Sequence, residues 1–146
     1  MRRLVDDTGL TGQVEVDSSG TGAWHVGNGA DRRAVAALRG GGYDGSAHRA
    51  RLFQRDWLAE RDLVVALDRG HLRELHGLAA DGPERDKVRL LRSFGPDGRS
   101  GDLDVEDPYL GDAADFATVL EQVEHGCRAI LDKLVRDGAV RPPSSR

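Results

Sequence analysis

Leu63-Val-Val-Ala-Leu67 decides the fold. An unbroken apolar run of this length marks a strand covered on both faces, as in a parallel sheet. Outward from it, elements alternate. A short helical turn at Arg55–Glu60 precedes the run, and a helix at about 69–79 and a strand at about 87–92 (KVRLLR) follow it. Further upstream, Asp31 is the N-cap of a helix through Arg39, with Ala34, Val35 and Leu38 on one face. Gln13 to Asp17 (QVEVD) alternates apolar and polar as a short strand does, and residues 2–7 read as the tail of a helix closed by Gly9. Downstream, the longest helix is expected at about 113–136, where Phe116, Val119, Leu120, Val123, Cys127, Ile130, Leu131 and Leu134 form one apolar stripe. Residues 1–137 then make one domain and 138–146 a flexible tail. The alternation predicts an α/β domain, three layers deep, with a parallel sheet and helices on both faces.

Composition bounds the possibilities. A chain of 146 residues and 15.8 kDa fits one domain. Acidic residues number 25 and basic ones 21, for a formal charge of -4, which argues against a general nucleic-acid binder. No apolar stretch approaches the ~18–20 residues of a membrane helix. The start, MRRLVDDTGL, lacks the apolar centre of a signal peptide. The expectation is a cytoplasmic protein that takes neither nucleic acid nor membrane as a partner. Glycine accounts for 19 residues, clustered at 20–29, 40–45 and 95–101, where it punctuates elements rather than filling them.

Three segments could carry chemistry. Asp17 to Gly27 follows an expected strand, but the dinucleotide fingerprint fails: after Gly20 and Gly22 the third glycine would fall where His25 stands. Two readings stay open, a flexible connection or a glycine-rich loop beside a crevice at the strand ends, with Trp24 as a contact surface. Asp107-Pro-Tyr109 closes an acidic stretch, DLDVED. It is either a solvated proline turn or an aspartic acid held by that turn to protonate a leaving group, with an aromatic ring beside it. His48-Arg-Ala-Arg51 is likewise a basic turn or a histidine and arginine pointing inward as supports. Cys127 is the single thiol. A thiolate that attacks phosphate needs backbone N–H groups, a helix N-terminus and an arginine, whereas Cys127 lies mid-helix on the apolar stripe and reads as core. His71 and His76 are five apart, on different helix faces, so no metal is expected. No cofactor is expected either.

Taken together, VDSSGTGAWHVG (16–27), DRRAVAALR (31–39), HRAR (48–51), DLVVALDRGHL (62–72), KVRLLRSF (87–94) and DPYLGDAADF (107–116) resemble the low-molecular-weight protein tyrosine phosphatase family of the actinobacterial kind. The resemblance implies a four-stranded parallel sheet with helices on both faces. It also implies hydrolysis of a phosphotyrosine-containing protein or small aryl phosphate through a cysteinyl-phosphate, without metal. Asp107 would protonate the leaving oxygen and later take a proton from water. Tyr109 and Trp24 would be aromatic walls for the substrate ring, and Ser18 and His48 would hydrogen-bond toward the phosphate loop. Asp68 and Arg51 would be structural.

Two positions depart from the pattern: Leu110 stands in place of a second tyrosine, and Arg32 in place of a proline. A larger departure concerns the family's opening strand and its C-x5-R-[ST]-P loop, for which this sequence has no counterpart. Met1 lines up with the middle of the first family helix, so the expectation is a chain that starts roughly two dozen residues into the pattern, lacks the nucleophile and is inactive as written. The alternatives are a non-catalytic or defective phosphatase-like binding module and, less well matched, an arsenate reductase, whose chemistry needs cysteines beyond Cys127.

Overall fold

In the computed structural model, which describes residues 1–95, 98 and 101–143, the apolar run at 63–67 does form a strand, β1 (Val64–Ala66). It pairs in parallel with β2 (Val88–Leu90), Val64 opposite Val88, Val65 opposite Arg89 and Ala66 opposite Leu90. Because side chains alternate across a strand, its two faces enter different clusters. Val64 and Ala66 pack with Leu58, Leu75, Ala79, Val88 and Leu90. Leu63 and Val65 turn the other way, against Leu91, Val105 and Ile130. Parallel strands require a long crossover, here α4 (Arg69–Leu78) and α5 (Gly82–Asp86). Leu75 of α4 covers one face and Ile130 of α6 (Ala113–Arg136) the other. Helices thus lie on both faces of the sheet.

The ends of α6 are set by its own residues. Asp112 accepts hydrogen bonds from the Ala114 and Asp115 amides, while the Asp115 carboxylate accepts from the Asp112 amide, a reciprocal capping box. Along its length α6 is a shared wall. Cys127 and Leu131 pack with Leu4, Val5, Leu10 and Val140, whereas Ile130 serves the sheet side. Leu4 and Val5 come from α1 (Arg2–Asp7), which ends at Gly9 with φ +69. There the Leu10 N–H bonds the Val5 carbonyl at 2.9 Å. α2 (Arg32–Gly40) begins at Asp31, whose side chain accepts the Arg33 amide, and α3 (Trp57–Glu60) is a single turn before β1.

Four expectations are corrected. Gln13–Asp17 is no ladder strand: Val14 and Val16 are half-buried toward the α1 cluster and Glu15 faces out, so the alternation records packing against a helix. The Val14 N–H bonds back to the Leu10 carbonyl rather than across to a neighbour. The sheet among the described residues has two strands, with one isolated parallel bridge between Gly20 and Leu52, where the resemblance implied four less the opening strand for which this sequence has no counterpart. The strand expected at 87–92 stops at Leu90, because Leu91–Phe94 tighten into a 3₁₀ turn. The expected flexible tail is packed over part of its length. Gly138, at φ +73, turns the chain back, and Val140 is buried. The Arg141 N–H then bonds Gln13 Oε1 at 2.9 Å, and Gln13 Nε2 donates to the Arg141 carbonyl at 2.8 Å. Residues 144–146 of that tail lie outside the described residues.

Candidate active site

The acidic segment runs along the carboxyl end of β1, the edge at which open α/β sheets bind ligands. The Val105 N–H bonds the Leu67 carbonyl at 2.8 Å, and the Arg69 N–H, at the start of α4, bonds Asp104 Oδ1 at 3.0 Å. The Arg69 guanidinium reaches Asp102 and Asp104 at 3.1 and 3.2 Å, and Arg92 donates to the Asp104 carbonyl at 2.8 Å. Asp107 follows. Its Oδ1 accepts the Tyr109 N–H at 3.0 Å and so caps the short 3₁₀ turn Pro108–Leu110, which proline's fixed φ favours. Asp107 is exposed, as are Tyr109 (64%) and Leu110 (95%). Acid and ring are therefore adjacent and open to solvent.

Trp24 belongs to a second neighbourhood. Its loop is pinned at both feet by residues 50–53. The Gly20 N–H bonds the Arg51 carbonyl and the Phe53 N–H the Gly20 carbonyl, both at 2.8 Å, and Gly27 and Asn28 pair with Ala50 at 2.9 Å. The indole, 81% exposed, lies over Gly22, where a side chain would collide with the ring. Its aromatic neighbour is His25, edge-on at 6.5 Å between centroids. No hydrogen bond or ring contact joins Trp24 to Asp107 or Tyr109 among the described residues.

Ser18 and His48 border that loop through their backbones. Arg51 donates to the Ser18 carbonyl at 3.1 Å, and the His48 N–H bonds the Gly45 carbonyl at 3.2 Å. Both residues are exposed, and neither side chain has a hydrogen-bond partner among the described residues. Asp68 caps α4 through the His71 N–H at 2.7 Å.

The sequence reading named Arg51 as a support, but its partner and two further arginines, Arg61 and Arg33, escaped it. Arg51 and Arg61 both donate to Asp17 Oδ2, at 3.0 and 2.9 Å, and both guanidiniums face the Trp57 ring, at 5.1 and 4.8 Å. The Arg61 hydrogen bond, ahead of that from Arg51, holds the Asp17 carboxyl below its ordinary range. Arg33 reaches from α2 to the carbonyls of Tyr109 and Gly111, at 2.9 and 3.3 Å. It also binds Asp31, whose carboxyl it lowers to about 2. No spacing rule could have found Arg61 or Arg33, since their partners lie 44 and 76 positions away. Cys127, by contrast, is where its stripe put it: buried on α6, with burial pushing its thiol up rather than toward a thiolate.

The sequence profile of the family described as low molecular weight phosphotyrosine protein phosphatase matches residues 1–140. The chain belongs to this family. A low molecular weight protein-tyrosine-phosphatase of Streptomyces coelicolor is 52% identical over 130 residues, covering 89% of this chain and 79% of the relative. Low molecular weight protein-tyrosine phosphatase A of Mycobacterium tuberculosis is 46% identical over 134 residues, with the same coverage of 89% and 79%. In fold, the crystal structure of a protein tyrosine phosphatase from Entamoeba histolytica superposes with a TM-score of 0.85 at 23% identity, over 94% of this chain and 85% of that one. The α/β architecture is thus that of the low molecular weight phosphatases.

Proposed function

We propose that these residues are the acid and substrate-gripping parts of a phosphotyrosine phosphatase, and that the 146-residue chain alone does not turn over. The observation that carries the reading is Asp107. It is an exposed carboxylate at the strand-end edge, fixed by a proline turn and flanked by an exposed tyrosine. In the reaction, a cysteine thiolate attacks phosphorus and the aryl oxygen leaves with the proton of Asp107. Water then attacks phosphorus and gives a proton to Asp107 while the S–P bond breaks, releasing phosphate and restoring the thiolate. Tyr109 and Trp24 offer flat apolar faces to the departing ring. Ser18 and His48, whose side chains have no described partner, are free to bond a phosphate loop. The substrate is a phosphotyrosine-containing protein or a small aryl phosphate.

The nucleophile is the part this chain does not supply. Cys127 is buried mid-helix with its thiol pushed up, so it cannot reach a phosphate and would not be ionised if it did. A general acid by itself contributes only ~10²–10⁴-fold, against one of the slowest uncatalysed reactions known. The isolated chain is therefore expected to leave p-nitrophenyl phosphate untouched, and turnover above background would overturn this point. Joined behind the strand and C-x5-R loop with which the family begins, it is expected to hydrolyse that substrate. In the fused protein Asp107→Asn should lower kcat by about 10²–10⁴-fold, and an unchanged kcat removes the acid assignment. A second reading, capture without turnover, rests on the exposed faces of Trp24 and Tyr109. Saturable binding of phosphotyrosine by the unfused chain would support it.

A further inference from the structure

The turn that carries Asp107 is gripped from both sides. Before Asp107, Arg69 and Arg92 hold residues 102–104 against the end of the sheet. After it, the tie is Arg33. Nη2 donates to the Tyr109 carbonyl at 2.9 Å and Nη1 to the Gly111 carbonyl at 3.3 Å. The guanidinium also lies 5.7 Å from the centre of the Tyr109 ring and 4.9 Å from that of Phe116.

The other edge of the same group is engaged too. Nε donates to Asp31 Oδ1 at 3.2 Å and Nη2 to Oδ2 at 2.8 Å. Asp31 in turn caps the nine-residue α2. The guanidinium is therefore oriented by the helix start and hands that orientation to the turn. All three of its nitrogens are used, in one plane, which an ammonium cannot reproduce.

We propose that Arg33 is a positioning residue, setting the place of Asp107 and Tyr109 by holding the carbonyls of Tyr109 and Gly111 to the capped start of α2. The importance of that placement rests on the phosphatase reading, though the tether does not. A proton donor must come within about 2.6–3.2 Å of the oxygen it serves. A misplacement of about 1 Å costs on the order of 10²-fold. Proline fixes φ between the acid and the gripped carbonyls, so movement at Tyr109 carries to Asp107. The Arg33 side chain is 44% exposed, and exposed ion pairs add little to global stability, so its effect is local.

The test is amide hydrogen exchange by NMR on the 146-residue chain, which needs no turnover. The probes are Tyr109 N–H, bonded to Asp107 Oδ1, and Gly111 N–H, bonded to the Pro108 carbonyl, with Leu131 in the core as reference. Arg33→Ala is expected to speed exchange at Tyr109 and Gly111 by about tenfold or more and at Leu131 by less than about twofold. Arg33→Lys is expected to restore only part of the protection. Unchanged exchange at the two probes overturns the proposal. So does an equal rise at Leu131, which would mark a contribution to global stability, and so does full restoration by lysine. Such a failure leaves the phosphatase reading standing, because that is decided by turnover of the fused protein, and absent turnover there leaves the tether intact.

Discussion

Asp17 binds two arginines through one oxygen, and this sharing makes it an acid-sensitive joint. Its carboxyl is held below the ordinary value, so its charged form is favoured in the fold. The sign follows directly. The stabilisation is complete above the unfolded value of about 3.9 and disappears as pH falls through the lower folded value. Melting temperatures measured between pH 6 and pH 2.5 should therefore fall less steeply below about pH 4 for Asp17→Asn than for the unaltered chain, with the variant less stable at the upper end. Parallel curves would mean that the two arginines hold Asp17 no better folded than unfolded. At this scale, legibility tracks distance along the chain. Asp107, Pro108 and Tyr109 are neighbours, and their turn is written in adjacent residues. Arg33 and Arg61 gain meaning from partners that only folding brings near.

Among the elements, α6 was the most readable, since its stripe and its Asp112 cap are both local features. Its closest approach was not readable. Gly126 meets Leu91 so tightly that a Cβ there would stand 2.5 Å from Leu91 Cγ. Helix propensity alone favours alanine over glycine by about 1 kcal/mol, while overpacking costs about 1–3 kcal/mol. Gly126→Ala should therefore leave the chain no more stable and up to about 2 kcal/mol less so, read from its denaturant midpoint. A gain in stability would show that Leu91 moves aside freely. The opposite lesson comes from Gln13–Asp17. Period-two patterning tells which side chains turn inward but not whether another strand stands alongside, and here the inward side meets a helix. Sheet width has the same weakness, because pairing between segments leaves no periodic trace in either one.

Over the whole molecule, the α/β class and the two-sided covering of β1 were legible because five consecutive apolar residues closed off by Asp62 and Asp68, too few for a helix and set between helical segments, suit a strand buried on both faces. The fate of residues 138–143 was not. Their composition is that of a frayed end, yet Val140 is buried at 7% exposure among Leu4, Leu10, Cys127 and Leu131. Val140→Ala should cost about 1–3 kcal/mol with the denaturant slope unchanged. A cost near zero would return that stretch to solvent.

The Gln13–Arg141 pair spans 128 positions, so the cover for Leu4, Val5 and Leu10 is made long after the residues it shelters. While a ribosome is still at work on the stretch between, α1 has only nearby residues such as Leu10, Val14 and Val16 to shield its greasy side. Closing so wide a loop is entropically slow to reward, and this corner of the protein can be finished only once residue 141 has left the ribosome.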